Sequence, residues 1–439
     1  MKGKKQRMAG NTNLLKLLYP VFSPAPLTSV DQNLYVDLEA VRGNTGFVQS
    51  LKTPIELGGA NTCQLLTGHL GSGKSTELHN LKVALQATAA RPFVVVCDVS
   101  SDLNPADLDY PDLLVMILRS LAVELEQQGI SLKPGKLQAR LEWVKKHLLT
   151  EVDFENITFK VGMAELGGIL QHSPDTRKKL RQLIDPETDS WIEAANDIIG
   201  VAKQKLQKKG FNDLVILVDG LDKLSRDFHE KAACSLGEHL YIHRYRELSS
   251  LLCHVVYTIP LYLAHSSAAH RITSLYGMTD IPVVPVTKVR ERPPSTALSE
   301  AGVEQLREVI RRRLNSIGAM ENDVFAPGAV DRLIKQTGGQ LRDLLIFVRD
   351  AAATRLPVDD SAIDRVENAV RRAYARWLEQ KHWPIIEEVQ ASGGFTKTDD
   401  NAKIAEQLLE SRAILHYRNT EEWFGANPLL PDPPAKRSL

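Results

Sequence analysis

Short apolar runs alternate with longer stretches of helical periodicity along much of the chain. A mixed, proline-containing lead-in occupies residues 1–55, and strand-length runs rich in β-branched residues follow it. The runs cover residues 62–67, 93–97, 214–218, 254–259 and 281–286. Such runs between helix-length segments are typical of a parallel sheet whose strands are joined by crossover helices. The pattern therefore predicts an α/β core over 56–290, with a five-stranded parallel sheet and helices on both faces.

Two parts of this core depart from a simple alternation. Pro282 and Pro285 cannot donate ladder hydrogen bonds, so the last run is predicted to be an edge strand or a short one. More than 100 residues separate the second run from the third, which is too many for one crossover. Helices are predicted in this stretch at 112–127 and 189–209. Residues 130–188 are predicted to be an insertion, with a strand pair near 154–161.

The last third of the chain has the pattern of small helical domains. A polar, proline-containing connector at 288–299 predicts a boundary after the sheet. Helical patterns broken by glycines follow at 299–316, 327–336 and 340–355. They predict a helical lid over residues 299–356. Further helices and an apolar hairpin predict a winged helix over residues 361–430, with a tail at 431–439.

Composition excludes several classes of protein. The 439 residues include 54 Lys or Arg and 54 Asp or Glu, so the chain is not a general polycation that coats nucleic acid. A hydrophobic fraction of 43% is that of a globular protein rather than a disordered one. No apolar run approaches the roughly 18 residues that a membrane helix needs. The basic N-terminus also lacks the apolar stretch of a signal peptide.

The cysteines give no sign of a disulfide or a zinc site. They are Cys63, Cys97, Cys234 and Cys253, and their spacing is neither paired nor metal-like. Three of them lie in or beside the apolar runs, where a free cysteine behaves as a small hydrophobe. We therefore expect a reduced, cytoplasmic protein with no membrane partner.

The strongest chemical signal is a glycine-rich loop directly after the first apolar run. It reads GHLGSGKST and fits the pattern G-x4-G-K-[ST], between a predicted strand and a predicted helix. Glycines let such a loop wrap around a polyphosphate, with backbone N–H groups and the helix N-terminus facing the anion. We expect Lys74 to neutralise the β- and γ-phosphates of ATP and Ser75 to bind Mg²⁺. The candidate nucleotide-binding residues are Gly68, His69, Leu70, Gly71, Ser72, Gly73, Lys74, Ser75 and Thr76.

A P-loop predicts an acidic residue at the end of a neighbouring strand. Residues 214–218 are all apolar and lead into Asp219, which is the Walker B pattern for a carboxylate that holds magnesium. Asp222 follows and is the candidate to orient or deprotonate the attacking water. An apolar run that ends in Asp is weak evidence alone, but it is strong evidence downstream of a P-loop. The candidate metal ligands are therefore Ser75 and Asp219.

Two further residues are candidates to sense the nucleotide. Thr258 lies near the end of the strand after Walker B, where some P-loop ATPases with an extra strand place a polar residue that senses the γ-phosphate. A strand-end threonine bonded to the backbone is the alternative. Arg342 opens a helix after two glycines, and it either reports the state of the nucleotide or is solvated. For an arginine supplied in trans, Arg271 and Arg290 are the candidates.

These motifs together resemble those of the AAA+ and STAND ATPases. The P-loop TGHLGSGKST, the Walker B ending VDGLD, the strand YTIP and the helix GGQLRDLL are similar to the branch shared by origin-recognition-type and NACHT-like proteins. The resemblance covers roughly residues 50–430. It implies an ASCE-type P-loop sheet followed by a helical lid and a winged helix. It also implies that Thr258 is sensor 1 and Arg342 is sensor 2.

Two departures from the family pattern bear on hydrolysis. AAA+ enzymes usually carry Glu immediately after the Walker B Asp, and here that position is Gly220. NACHT-like members usually end in D-G-x-D-E, and here Lys223 replaces the final Glu. We therefore expect slow hydrolysis of ATP, which suits a nucleotide-gated switch better than a motor.

The resemblance leaves two functions open. The first is a self-assembling switch that controls a separately encoded effector protein in bacterial antiphage defence. The second is a DNA-associated ATPase, of origin-recognition or transposition-regulator type, that binds duplex DNA through its winged helix. A P-loop kinase or GTPase is disfavoured because the chain has no acceptor-site motif and no guanine-reading N-K-x-D.

Charge favours the first function. Residues 361–439 contain 11 Lys or Arg and 12 Asp or Glu, a net charge of −1. DNA-binding winged helices usually present a basic recognition helix. Here the segment 399–412 carries four carboxylates against two cations. We therefore expect a homo-oligomer whose winged helix contacts protein, with duplex DNA as the less favoured partner.

Overall fold

Contacts within the chain divide it into two units. The computed structural model describes residues 2–43, 46–59, 61–101, 103–133, 135–148, 163–164, 168, 174–224, 226, 228–229, 234–295, 297–418 and 421–433. The first unit comprises Met1–Phe47, Gly68–His79 and Val283–Leu439, and the second comprises Val48–Thr67 and Asn80–Pro282. The strand pair expected near 154–161 lies outside the described residues. The predicted domain boundaries stay predictions.

A five-stranded parallel sheet is confirmed. Its strands are β1 (Cys63–Gly68), β2 (Phe93–Asp98), β3 (Leu214–Asp219), β6 (His254–Thr258) and β7 (Val283–Val284). They have the order β2-β3-β6-β1-β7, so β6 is an extra strand between β1 and β3. The last strand is short, lies at the sheet edge and is flanked by prolines, as predicted. Two short strands, β4 (Phe228–His229) and β5 (Cys234–Ser235), form a separate antiparallel pair.

Helices cover this sheet in the second unit. They are α3 (Phe47–Leu57), α4 (Lys74–Gln86), α5 (Tyr110–Gln127), α6 (Leu137–Leu148), α7 (Pro174–Ile184), α8 (Thr188–Gln207), α9 (Leu236–Glu238), α10 (Tyr245–Leu248), α11 (Leu261–Ala264) and α12 (Ala269–Leu275). All six residues of β3 are buried, so both faces of the sheet are covered there. The helices predicted at 112–127 and 189–209 are α5 and α8. None of the described helices is long and apolar enough to span a bilayer.

The start of α5 is determined by two carboxylates near its first turn. Asp109 accepts a hydrogen bond from the Tyr110 N–H (2.7 Å), and Asp112 accepts one from the Asp109 N–H (3.0 Å). These carboxylates satisfy donors that the first helical turn leaves unpaired.

Cys97 and Cys253 lie in the core that this helix helps to form. Burial raises the pKa of the Cys253 thiol to about 12, so the thiol stays protonated at neutral pH.

The first unit is mostly helical. Its helices are α1 (Lys2–Val21), α2 (Glu39–Arg42), α13 (Glu300–Ser316), α14 (Glu321–Val324), α15 (Ala329–Gln336), α16 (Leu341–Thr354), α17 (Asp360–Trp377), α18 (Trp383–Ser392) and α19 (Ala402–Glu410). An antiparallel hairpin of β8 (Ile414–Arg418) and β9 (Glu422–Ala426) follows α19. Leu306, Leu333, Leu344 and Ile363 share one core. The interpretation of α17–α19 and the hairpin as a winged helix stays a prediction.

The strands of the second unit end in polar residues at one edge of the sheet. The register pairs Asp98 of β2 with Asp219 of β3, and Leu66 of β1 with Thr258 of β6. Since these strands are parallel, their carboxyl ends lie at the same edge. The chain continues from the carboxyl end of β1 into the glycine-rich loop at Gly68. Ligands of open α/β sheets bind outside the carboxyl ends of the strands, so this edge is the candidate site.

Candidate functional site

The glycine-rich loop needs glycine for reasons of conformation and space. Gly68, Gly71 and Gly73 have φ angles of 153°, 85° and 107°. A Cβ at Gly71 would lie 2.4 Å from the Cβ of Arg342, and one at Gly68 would lie 2.5 Å from the carbonyl oxygen of Val284. Side chains at these positions would strain the backbone and collide with neighbouring atoms. The spacing of the motif therefore has a steric cause in this chain.

Lys74 begins α4 and is bonded to the loop itself. Its Nζ donates hydrogen bonds to the carbonyl oxygens of Gly68 (2.7 Å) and His69 (2.8 Å). Only 4% of Lys74 is exposed, and a buried ammonium needs such partners. A phosphate that binds in the loop must therefore compete with these two carbonyl oxygens for the ammonium group.

The hydroxyl residues of the loop differ in their partners. The Ser72 hydroxyl is buried and has no hydrogen-bond partner among the described residues. Thr76 Oγ1 accepts a hydrogen bond from the Leu27 N–H (3.3 Å). Leu70 and Ser75 are half-buried. An unpaired buried hydroxyl costs free energy, so Ser72 is suited to donate to an anion bound in the loop.

Arg42 supports the loop from the N-terminal region, and no local sequence pattern indicates this role. Its Nη2 donates to the Ser72 carbonyl oxygen (2.6 Å), and its Nη1 pairs with the Glu77 carboxylate (3.0 Å). The two side chains of this ion pair are 2% and 5% exposed. Because Ser72 lies in the loop and Glu77 in the first turn of α4, Arg42 holds the loop against the helix that follows it.

The predicted sensor Arg342 lies against the loop. Its backbone N–H donates to the Gly71 carbonyl oxygen (3.2 Å). The next residue, Asp343, forms an ion pair with Arg412 (3.0 Å), which lies between α19 and β8. Burial raises the pKa of Asp343, although Arg412 acts in the opposite direction. The first turn of α16 therefore connects the loop with the approach to the hairpin, and the sensing role of Arg342 stays a prediction.

The hairpin also contacts the loop directly. The His416 N–H donates to Nε2 of His69 (2.8 Å), and the His416 carbonyl oxygen accepts from the Val286 N–H (3.0 Å). Both histidines are buried. Since Nε2 of His69 accepts a hydrogen bond, that nitrogen carries no proton. The Tyr417 hydroxyl donates to the Gly338 carbonyl oxygen (2.6 Å), so the hairpin is bonded to the segment before α16 as well.

In the second unit, Asp219 ends β3 as the Walker B pattern predicts. Its carboxylate accepts from the Gly220 N–H (2.8 Å) and is mostly buried. The Thr258 hydroxyl accepts from the Leu221 N–H (3.1 Å) and donates to the Val218 carbonyl oxygen (3.3 Å). Thr258 is thus bonded to the backbone on both sides of Asp219, which is the alternative that the sequence left open. A sensing role for it stays a prediction.

Asp98 ends β2 beside Asp219, and sequence reasoning did not select it. Its Oδ1 accepts from the Ser100 N–H (3.0 Å) and the Ser100 hydroxyl (2.7 Å). The Lys223 ammonium in turn donates to the Ser100 hydroxyl (2.6 Å). The signal was present, because residues 93–98 form an apolar run that ends in Asp, as the Walker B run does.

The remaining candidates are placed as follows. Asp222 lies in a short 3-10 turn over Leu221–Lys223 and is half-buried. Arg271 is exposed on α12, and Arg290 forms an isolated β-bridge with Leu298. The roles of these residues in catalysis, or in trans, stay predictions.

Comparison with known proteins gives similarity to solved structures alone. No family model matches the chain, and no curated protein matches it. The chain is similar to the Walker-type ATPase of Pyrococcus abyssi, at 12% identity and a TM-score of 0.47, over 93% of this chain and 98% of that one. It is similar to the ORC2 protein of Aeropyrum pernix in its ADPNP–ADP complexes, at 11% identity and a TM-score of 0.45, over 94% of each chain.

Proposed function

We propose that the protein is a nucleotide-gated switch of the AAA+ or STAND type, which binds ATP and hydrolyses it slowly. One observation carries the proposal: the phosphate-binding loop is hydrogen-bonded to the C-terminal helices and hairpin of its own unit. The Arg342 N–H donates a hydrogen bond to the Gly71 carbonyl oxygen, and the His416 N–H donates one to the His69 ring. A switch needs an element whose arrangement a ligand can bias, and these bonds supply it.

The residues present fit a nucleoside triphosphate with magnesium. The buried, unpaired hydroxyl of Ser72 and the ammonium of Lys74 are donors suited to phosphate oxygens. The Ser75 hydroxyl and the Asp219 carboxylate are the hard oxygen donors that Mg²⁺ prefers, and they would hold the ion. When bound, Mg²⁺ neutralises charge on the phosphates. We favour ATP because the chain has no guanine-reading motif.

The bonds of Lys74 show how binding would be transmitted. A bound phosphate draws the ammonium away from the carbonyl oxygens of Gly68 and His69. The loop that loses these two bonds is the one that accepts the Arg342 N–H at Gly71 and the His416 N–H at the His69 ring, so a readjustment of its backbone reaches both. Occupancy of the loop and the arrangement of the C-terminal elements are therefore coupled. By linkage, a partner that displaces the hairpin changes the affinity for ATP by the same factor by which ATP changes the affinity for that partner.

A protein partner is the finer part of the proposal. We propose that the chain self-assembles and that residues 361–430 contact a separately encoded effector protein, with bacterial antiphage defence as the setting. The support is electrostatic: this region has no excess of cations, and its carboxylates would be repelled by DNA phosphates. An adjacent nuclease or protease gene would support this partner, whereas an adjacent transposase gene or steeply salt-dependent duplex binding would contradict it.

Hydrogen exchange tests the coupling. A slowly hydrolysed ATP analogue is expected to change amide exchange in residues 414–418 of the wild-type protein. In His69→Leu the ring acceptor is lost, and we expect this change to shrink about 3- to 10-fold, since one such bond contributes about 0.5–1.5 kcal/mol. His270→Leu, on the exposed surface of α12, is the matched control and should behave as wild type. An equal nucleotide effect in His69→Leu and the wild type would contradict the coupling.

A second prediction concerns Asp222. Asp222→Asn is expected to lower kcat for ATP hydrolysis about 10-fold, because an amide orients the attacking water less well than a carboxylate. The affinity for the ATP analogue should stay within about 3-fold of wild type. Steady-state phosphate release and calorimetric titration measure the two quantities. Unchanged turnover would show that Asp222 does not position the water.

A further inference from the structure

The position after the Walker B aspartate is closed to a side chain. Gly220 has a φ of 89°, and a Cβ there would lie 2.8 Å from Ser100 Cβ and 2.9 Å from the Ser100 backbone nitrogen. It would also lie 3.0 Å from Oδ1 of Asp98. The glutamate that AAA+ enzymes usually carry here therefore cannot be accommodated while β2 keeps its course. A carboxylate oxygen from β2 already lies beside the point at which that side chain would begin.

We propose that Asp98 supplies this carboxylate from the neighbouring strand and accepts the proton of the water that attacks ATP. The proposal rests on the ATPase function proposed above. Asp98 lies in register with Asp219, and neighbouring strands are about 4.8 Å apart. It is exposed at the carboxyl edge of the sheet, so water reaches it. A general base must be within hydrogen-bond reach of its proton, and the edge of the sheet that holds Asp219 is where that water is needed.

The surroundings of Asp98 fix the direction of its carboxylate. The N–H and the hydroxyl of Ser100 both donate to Oδ1. The hydroxyl can point at Oδ1 because it accepts a hydrogen bond from Lys223 on its other side. Ser100 and Lys223 act as positioning residues, and Asp98 as the base.

The reaction step is redox-neutral. The water oxygen forms a bond to the γ-phosphorus while the bond from the γ-phosphorus to the β,γ-bridging oxygen breaks. ADP leaves with that electron pair. One water proton passes to the Asp98 carboxylate and from there to solvent, and the other stays on the phosphate product.

Asp98→Asn tests the assignment. We expect kcat for ATP hydrolysis to fall on the order of 100-fold, which is typical for loss of a general base. The dissociation constant of a slowly hydrolysed analogue should stay within about 3-fold of wild type, and the melting temperature should change little because the asparagine oxygen still accepts both hydrogen bonds from Ser100. Asp280→Asn, another exposed aspartate of the same unit, is the matched control and should keep the wild-type kcat.

Ser100→Ala gives a second, independent measurement. It removes one of the two donors to Oδ1, and we expect kcat to fall about 10-fold with ATP affinity retained. If Asp98→Asn folds and keeps the wild-type kcat, the role of Asp98 is overturned and the ATPase proposal stands. If Asp98→Asn does not fold, a wild-type kcat in Ser100→Ala has the same consequence. A wild-type protein that does not bind or hydrolyse ATP would overturn the proposed function itself.

Discussion

Replacing Lys74 with alanine is expected to weaken ATP binding at least about 100-fold and to abolish ATP-dependent assembly. Lys74 is the buried cation of the loop, with only 4% of its surface exposed. Charge-assisted bonds from such an ammonium to phosphate are among the strongest polar contacts, and a loss of about 3 kcal/mol corresponds to this factor. Calorimetric titration with a slowly hydrolysed analogue measures the affinity. Light scattering with and without the analogue measures the assembly.

Two controls separate the charge of Lys74 from its packing. Lys74→Met keeps most of the aliphatic stem, so it should lose ATP binding without loss of thermal stability. Lys82→Ala changes a lysine further along α4 and should bind ATP as the wild type does. ATP-dependent assembly that survived in Lys74→Ala would contradict the proposal of a nucleotide-gated switch.

The second large effect is expected at Gly302, in α13. An alanine inside a helix is usually more favourable than glycine by about 1 kcal/mol. Here the added Cβ would lie 1.7 Å from the carbonyl oxygen of Lys288 and 2.8 Å from its carbonyl carbon. Because backbone must move to relieve this overlap, we expect Gly302→Ala to lower the free energy of unfolding by about 3 kcal/mol. Urea denaturation followed by circular dichroism measures it.

The matched control for this prediction is a glycine whose replacement by alanine should raise the free energy of unfolding. Gly200 lies inside α8, and among the described residues no atom beyond its chain neighbours and the adjacent helix backbone would lie within 4 Å of a Cβ there. Gly200→Ala should therefore raise the free energy of unfolding by up to about 1 kcal/mol, as helix propensity dictates. Stabilisation of the protein by Gly302→Ala would show that the segment near Lys288 yields easily, and it would refute the close contact.

The elements of the sheet could be predicted because their signals are local. The all-apolar run before Asp219 became a strand buried along its whole length, and the prolines around Val283–Val284 limited the last strand to two residues. The helices α5 and α8 followed from apolar periodicity in the same way. In each case, alternation, capping residues and chain breakers act over a few positions, so a short stretch of sequence determines the outcome.

The candidate site could be predicted in part. The glycine-rich loop and Asp219 are patterns of adjacent residues, and each lies at the end of a strand where the pattern requires it. Arg42, which ties the loop to α4, could not be found, because an arginine in a short helix has no distinctive local pattern. Asp98 ends an apolar run just as Asp219 does. An aspartate at the end of a strand can be assigned to a site only when the neighbouring strand is known, and here that strand is β3.

The sequence by itself determined that this chain has a parallel sheet, a glycine-rich loop after the first strand and a carboxylate at the end of β3, since each depends on the order of neighbouring residues. Only the tertiary structure decided what surrounds them. The register of β2 against β3 places Asp98 beside Asp219, and the residues around Gly220 leave no room for a side chain there. The path of the C-terminal hairpin places the His416 N–H on the ring of His69, across 347 positions of sequence. Contacts of this kind depend on how whole elements pack, and no local pattern encodes that.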